Sequence, residues 1–235
     1  MLLFFRKIRQ DLIVNNQIRK YLKYAIGEIV LVVLGILIAI SLNNLKDAAD
    51  RKKDELELYQ DMITELSEDL RDIQENTDYN NYFIQRYSLG AQIILTDKNR
   101  DHRDSLMVIA SELTKFSDFK NERPIYDRLF TSGEQSLMSD SQLISDLKRL
   151  AVLYNYMNRL ERNHQDYMYA VLPKIADYVR INPPEIMDLD SLYGYRFHND
   201  IEILIYIMKE KNQVYSDVSK NISNLIDKLK GKLDE

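Results

Sequence analysis

The sequence predicts an all-α protein: a single transmembrane helix that continues into a long helix of an extracytoplasmic antiparallel helical bundle. Three observations carry this. Gly (6) and Pro (4) are too scarce among 235 residues for a turn-rich β-sandwich or barrel. An apolar run over residues 24–42 is broken only by Glu28. Beyond it, a 3-4-3-4 apolar pattern extends from Leu56 to Ile94 with no Pro and no Gly before Gly90.

Residues 1–23 hold Arg6, Lys7, Arg9, Arg19, Lys20 and Lys23 against one acid, Asp11. Leu2, Leu3, Phe4, Phe5, Ile8, Leu12 and Ile13 supply an apolar side to the same stretch. The pattern predicts a basic, interfacial amphipathic segment whose Arg6, Lys7, Arg9, Lys20 and Lys23 meet anionic headgroups, with a frayed tail over the first fourteen residues as the alternative. Tyr21 and Tyr24 suit the interfacial aromatic belt.

Residues 24–42 would span roughly 28 Å as a helix, close to one hydrocarbon core. The long basic segment before them and the absence of a small-x-small site after them favour an uncleaved signal-anchor over a signal peptide. Six bases precede the span, whereas Lys46, Arg51, Lys52 and Lys53 after it are diluted by Asp47, Asp50, Asp54 and Glu55. This bias predicts a cytoplasmic N-terminus in the inner membrane and a periplasmic domain over residues 43–235. Gly35 and Ala39 form a small-xxx-small step, with Gly27 two turns below, and such residues let helices pack closely in lipid; a single-pass anchor can equally tolerate them. Glu28 is a membrane-embedded ionisable residue. It either snorkels towards Lys23 and the headgroups or serves as an oligomer contact or proton-sensitive site.

The seam Leu56, Tyr59, Ile63, Leu66, Leu70, Ile73, Thr77, Asn80, Ile84, Tyr87, Ala91, Ile94 predicts one long helix, weakest at Thr77 and Asn80, where a bend is allowed. Residues 97–104 form a polar break. A short amphipathic helix is expected from Leu106 to Phe116, and another from Arg123-Pro124 to a stop at Ser132-Gly133. Ser139, Asp140 and Ser141 are N-cap candidates for a helix carrying Leu143, Leu147, Leu150, Tyr154, Met157, Leu160 and Tyr167 towards Pro173. Asn182-Pro183-Pro184 breaks the chain. Asp200 is expected to open a last helix, with Ile201, Leu204, Met208, Tyr215, Val218, Ile222, Leu225 and Leu229 on one stripe. Lys228, Lys230 and Lys232 lie at its C-terminal end, where the helix dipole favours cations. No strand-period segment stands out.

The segment FFRKIRQ (4–10) followed by YLKYAIGEIVLVVLGILIAISLNN (21–44) resembles a family of single-span proteins of unknown function from Gram-negative bacteria. Its members pair a basic N-terminal segment with an anchor of this kind and an extracytoplasmic helical region. Residues 125–133 (IYDRLFTSG), followed by Leu143 and Tyr154, resemble that family's middle segment more loosely. Leu45 stands where many members have Trp. The resemblance implies location and architecture, and no catalytic residue.

Composition excludes much chemistry. With Cys 0 there is no disulfide scaffold, thiol nucleophile or Cys-ligated metal. A net charge of -5 gives no reason to expect a nucleic-acid partner. Glu161-x-x-His164 has the spacing of a di-iron half-site, but no second such pair occurs, and His198 with Glu202 offers two ligands at most. No metal or other cofactor is expected. Phosphate-loop and hydrolase motifs are absent. Tyr154, Tyr156, Tyr167, Tyr169, Tyr193 and Tyr195 could line a binding wall, but at helical spacing they are expected to be core with a polar handle. The expected function is therefore a non-enzymatic, membrane-anchored assembly or adaptor module. Its partners would be membrane lipid and either a second copy or another membrane protein. The alternative is an extracytoplasmic sensor or ligand-binding bundle that signals through a membrane partner.

Overall fold

The computed structural model describes residues 18–115, 119, 129–131 and 133–234, with side chains from residue 22 onward. The elements are α1 (Ile18–Thr96), α2 (Arg103–Glu112), a 3-10 turn (Glu134–Leu137), α3 (Ser141–Tyr178), β1 (Val179–Arg180), β2 (Glu185–Ile186), α4 (Leu189–Leu192) and α5 (Tyr195–Leu233). Among the described residues the protein is all-α apart from this hairpin of two-residue strands, which periodicity did not anticipate because strands so short carry no period. The expected interfacial segment 1–14, and the helix expected from Arg123-Pro124, lie outside the described residues, save for helical turns at 129–131. The chain divides into two units, Met1–Asp54 and Glu55–Glu235.

In the first unit, α1 contains a stretch long and apolar enough to cross a membrane, and none of it is buried by the protein. Leu31, Ile38, Leu42 and Leu45 all face outward.

In the second unit, the seam of α1 is the buried face. Tyr59, Ile63, Leu66, Ile73, Asn80, Tyr87 and Ala91 are buried, and the rest of the seam is partly so. The helix continues unbroken through Thr77 and Asn80. Local polar groups are satisfied there: Thr77 Oγ1 donates to Ile73 O (2.8 Å) and Asn80 Nδ2 to Asn212 Oδ1 (2.9 Å).

After α1 the chain turns over residues 97–102, the expected polar break. Asp97 accepts from the backbone N–H groups of Asp101 (3.1 Å) and His102 (2.8 Å), and Arg100 takes a left-handed φ of 60°. α2 begins three residues before the expected Leu106 and ends at Glu112, short of Phe116. Gly133 has φ 83°, the left-handed conformation expected of a helix stop. Asp140 is the N-cap of α3, accepting from Gln142 N (2.8 Å) and Leu143 N (3.2 Å).

Pro173 does not end this helix, which runs on to Tyr178. An interior proline costs about 3 kcal/mol. Val171 and Ile175 on either side are fully buried, each contributing about 1.5–3 kcal/mol, so burial outweighs the lost hydrogen bond. The last helix opens at Tyr195, not at Asp200, with Gly194 as N-cap. Asp200 points into the bundle instead, accepting from Tyr167 (3.0 Å) and Lys174 (2.9 and 3.0 Å).

Long-range pairs set the directions. Glu55 accepts from Ser139, and Asp69 accepts from the Tyr154 hydroxyl, so α1 and α3 run parallel. Lys228 reaches Asp146 (2.5 Å) and Lys174 reaches Asp200, so α5 runs antiparallel to α3. The bundle holds two apolar cores. One joins Leu58–Ile73 of α1 to Leu143–Leu160 of α3 and Val214–Leu229 of α5. The other joins Phe83–Ile93, α2, Met168–Val179 and Phe197–Met208.

Candidate functional site

Between the two cores lies a polar layer. Asn80, Glu161, His164 and Lys211 are all buried, and each sits at a heptad position of its own helix. In α3 the buried series is Leu150, Tyr154, Met157, Glu161, His164, Met168; in α5 it is Leu204, Met208, Lys211, Tyr215, Val218. The polar residues therefore replace core residues at one level.

Lys211 is the hub. Its ammonium lies 2.6 Å from Glu161 Oε2 and 3.2 Å from His164 Nδ1, with no side-chain exposure. The Tyr215 hydroxyl donates to Glu161 Oε1. An ammonium can only donate, so His164 Nδ1 accepts and its ring proton sits on Nε2. Burial first, then the adjacent Lys211 charge, push the imidazole down to about 3, so it is neutral near pH 7. Asn80 joins the layer through Asn212, whose Nδ2 donates in turn to Asn81 Oδ1 (2.9 Å).

The Glu161-x-x-His164 pair thus converges on a cation, and that cation is a lysine of α5. Among the described residues no group of three His, Cys, Asp or Glu side chains is placed to hold a metal ion. His198 and Glu202 are 3.9 Å apart on α5. Lys211 escaped the sequence reading because its partners are 47 and 50 residues away; its signal was a lysine in phase with the apolar stripe of α5.

The tyrosines divide. Tyr154, Tyr167 and Tyr193 place their rings inward and give their hydroxyls to Asp69, Asp200 and Asp97. Tyr156, Tyr169 and Tyr195 are exposed instead, and they do not converge with the first three on one wall. At Asp97, burial raises the carboxyl, but hydrogen bonds from His102 N–H, Tyr193 OH and Asp101 N–H outweigh it and hold the group at about 2.

In the first unit, Gly27 and Gly35 face open space: a Cβ added at either would meet nothing within 4 Å. Lys23, Tyr24 and Ala39 are exposed and Glu28 is partly so. Arg6, Lys7 and Arg9 lie outside the described residues, as do the side chains of Lys20 and Tyr21. Among the described residues, no other element packs on Gly27 or Gly35.

These features define a class: an all-α protein with a helical bundle closed around a buried ionic layer, whose first helix also carries an uncovered apolar stretch. No protein-family model, curated protein or solved structure matches the chain.

Proposed function

We propose that the protein is a membrane-anchored, non-enzymatic helical module that holds itself or a partner at the inner membrane. One observation carries the reading: the apolar stretch of α1 has no cover among the described residues, while the bundle residues bury their apolar faces on one another. An uncovered apolar helix of this length is stable in lipid. The excess of Lys and Arg before it argues for a cytoplasmic N-terminus and a periplasmic bundle. The N-terminal resemblance to single-span proteins of Gram-negative bacteria supports the same placement. The ionisable groups around Lys211 are sealed from solvent, so they serve packing rather than turnover.

Gentle detergent extraction with mass measurement tests this. The chain should fractionate with membranes, resist carbonate washing, and appear as an oligomer or with a co-purifying protein. A strict monomer with no companion overturns the assembly reading. Protease added to spheroplasts should digest the bundle; protection would reverse the orientation.

A sensor is the second reading, favoured by one feature. A groove of about 550 Å3 between α1 and α5 is lined by Gln74, Thr77, Asn212, Ser216, Ser219 and Ser223, a hydroxyl- and amide-rich wall suited to a polar ligand. A small molecule that co-purifies, and is lost on Ser219→Leu, would favour it.

A further inference from the structure

We propose that the bundle self-associates through two outward stripes of opposite charge, the basic face of α3 in one copy against the acidic face of α1 in the next. The inference rests on the assembly reading above and names its partner as a second copy of this chain.

On α3, Arg149, Val152, Tyr156, Arg159 and Arg162 are exposed, on the side opposite Leu150, Tyr154 and Met157. Val152 is 67% exposed, and the Arg159 guanidinium lies 4.9 Å from the Tyr156 ring centroid. Among the described residues no ion pair joins Arg159 or Arg162 to a carboxylate, while Lys228, helped by Arg149, holds the Asp146 carboxyl below the usual range; between Asp146 and Asp166, at the two ends of the stripe, the one acid, Glu161, is buried. The stripe is therefore cationic with an apolar and aromatic centre. Arginine and tyrosine are the residue types enriched at protein interfaces.

On α1, residues 54–78 carry ten acids and one base, Arg71. Glu68, Glu75 and Asp78 are exposed on the side opposite Tyr59, Leu66 and Ile73. Both stripes point away from the shared core, so they cannot meet within one chain.

The two stripes also match in level. α1 and α3 run parallel, and their cross-contacts pair residues 84 and 85 apart in number. Subtracting 84 places Val152 level with Glu68, Arg159 with Glu75, and Arg162 with Asp78. Two copies standing side by side with the same orientation, as anchoring in one membrane requires, would thus face arginine with carboxylate without sliding. The contact joins different faces, so it is heterologous and extends to a ring or a row. Exposed ion pairs are individually weak, and confinement of anchored chains to a membrane raises their effective concentration enough for a few to suffice.

The natural absence of cysteine makes the test direct. Full-length chains carrying Arg159→Cys and Glu75→Cys are co-expressed in membranes and mildly oxidised. A disulfide-linked dimer should form, and Arg159→Cys with Tyr206→Cys should give little. Charge reversal supplies the second arm. Arg159→Glu/Arg162→Glu and Glu75→Arg/Asp78→Arg should each lower the assembled fraction about fivefold or more, and the two combined in one chain should restore it. Restoration also shows that the reversed chains fold. Equal cross-linking by matched and mismatched pairs, or reversed variants that assemble like the parent, overturns the proposal. If the parent chain is itself monomeric in membranes, this proposal falls, and if it also lacks a companion protein the assembly reading falls with it; if it assembles while the reversed variants do too, only this interface falls.

Discussion

Lys211 concentrates the chemistry of the bundle, and its removal tests the layer most severely. Breaking a buried pair leaves a carboxylate without its counter-charge and costs about 3–5 kcal/mol. Lys211→Met should lower the urea midpoint accordingly, while Lys211→Met combined with Glu161→Leu should recover most of the loss. If the double variant is as unstable as the single, the Glu161–Lys211 contact is not the source of the cost. His164 gives a pH signature. Its folded value of about 3 lies below the 6.5 of an unperturbed imidazole, so the unfolded chain binds the extra proton between these limits. The contribution is full above about pH 6.5 and is lost as pH falls towards 3, by at most about 1.4 kcal/mol per pH unit. Urea midpoints between pH 7 and pH 5 should fall more steeply for the parent than for His164→Gln. Equal slopes would show that His164 titrates normally.

At the level of the element, the long helices follow their periodicity and their ends follow local competition. α1 passes the polar positions Thr77 and Asn80 because their side chains are hydrogen-bonded, and α3 passes Pro173 because buried neighbours outweigh the lost bond. α5 starts five residues before Asp200, which has the chemistry of an N-cap but is claimed by Tyr167 and Lys174 of α3. One close approach fixes how α1 meets its neighbours. A Cβ at Gly90 would lie 3.0 Å from Ile109 Cγ2 and 3.5 Å from Ile201 Cδ1. Gly90→Val should therefore destabilise the bundle by about 1–3 kcal/mol despite the usual cost of glycine in a helix, as read by thermal melting. An unchanged or raised melting temperature would mean that α2 can move aside.

For the whole molecule, the division between Asp54 and Glu55 separates a stretch in which none of the described side chains, residues 22–54, is buried from the residues that carry both cores. A chain of residues 50–235 should thus stay in aqueous solution, remain helical and melt cooperatively, whereas the full chain should need detergent. Aggregation of the shorter chain would show that the bundle depends on what precedes it. Because the carboxylate of Asp97 is held at about 2 by its turn, this end of the bundle should lose its hydrogen-bonded form only below about pH 4, later than the His164 effect; amide exchange at Asp101 and His102 reads it directly.

Several features were legible before any fold was known. The scarcity of Gly and Pro, the apolar run ended by polar residues, and the 3-4 spacing of Leu, Ile and Tyr are local patterns. Each reports directly on a helix and on the face it must cover. The polar layer was written in the same patterns, since Asn80, Glu161, His164 and Lys211 each interrupt an apolar seam. What the sequence left open was that these interruptions meet. Their partners are 47 to 132 residues away, and an isolated charge in a seam reads as a flaw until another helix brings its counterpart to the same level. The tertiary structure decided that pairing, and with it why the charge can be buried: desolvation of Lys211 is tolerable only where Glu161, His164 and Tyr215 surround it.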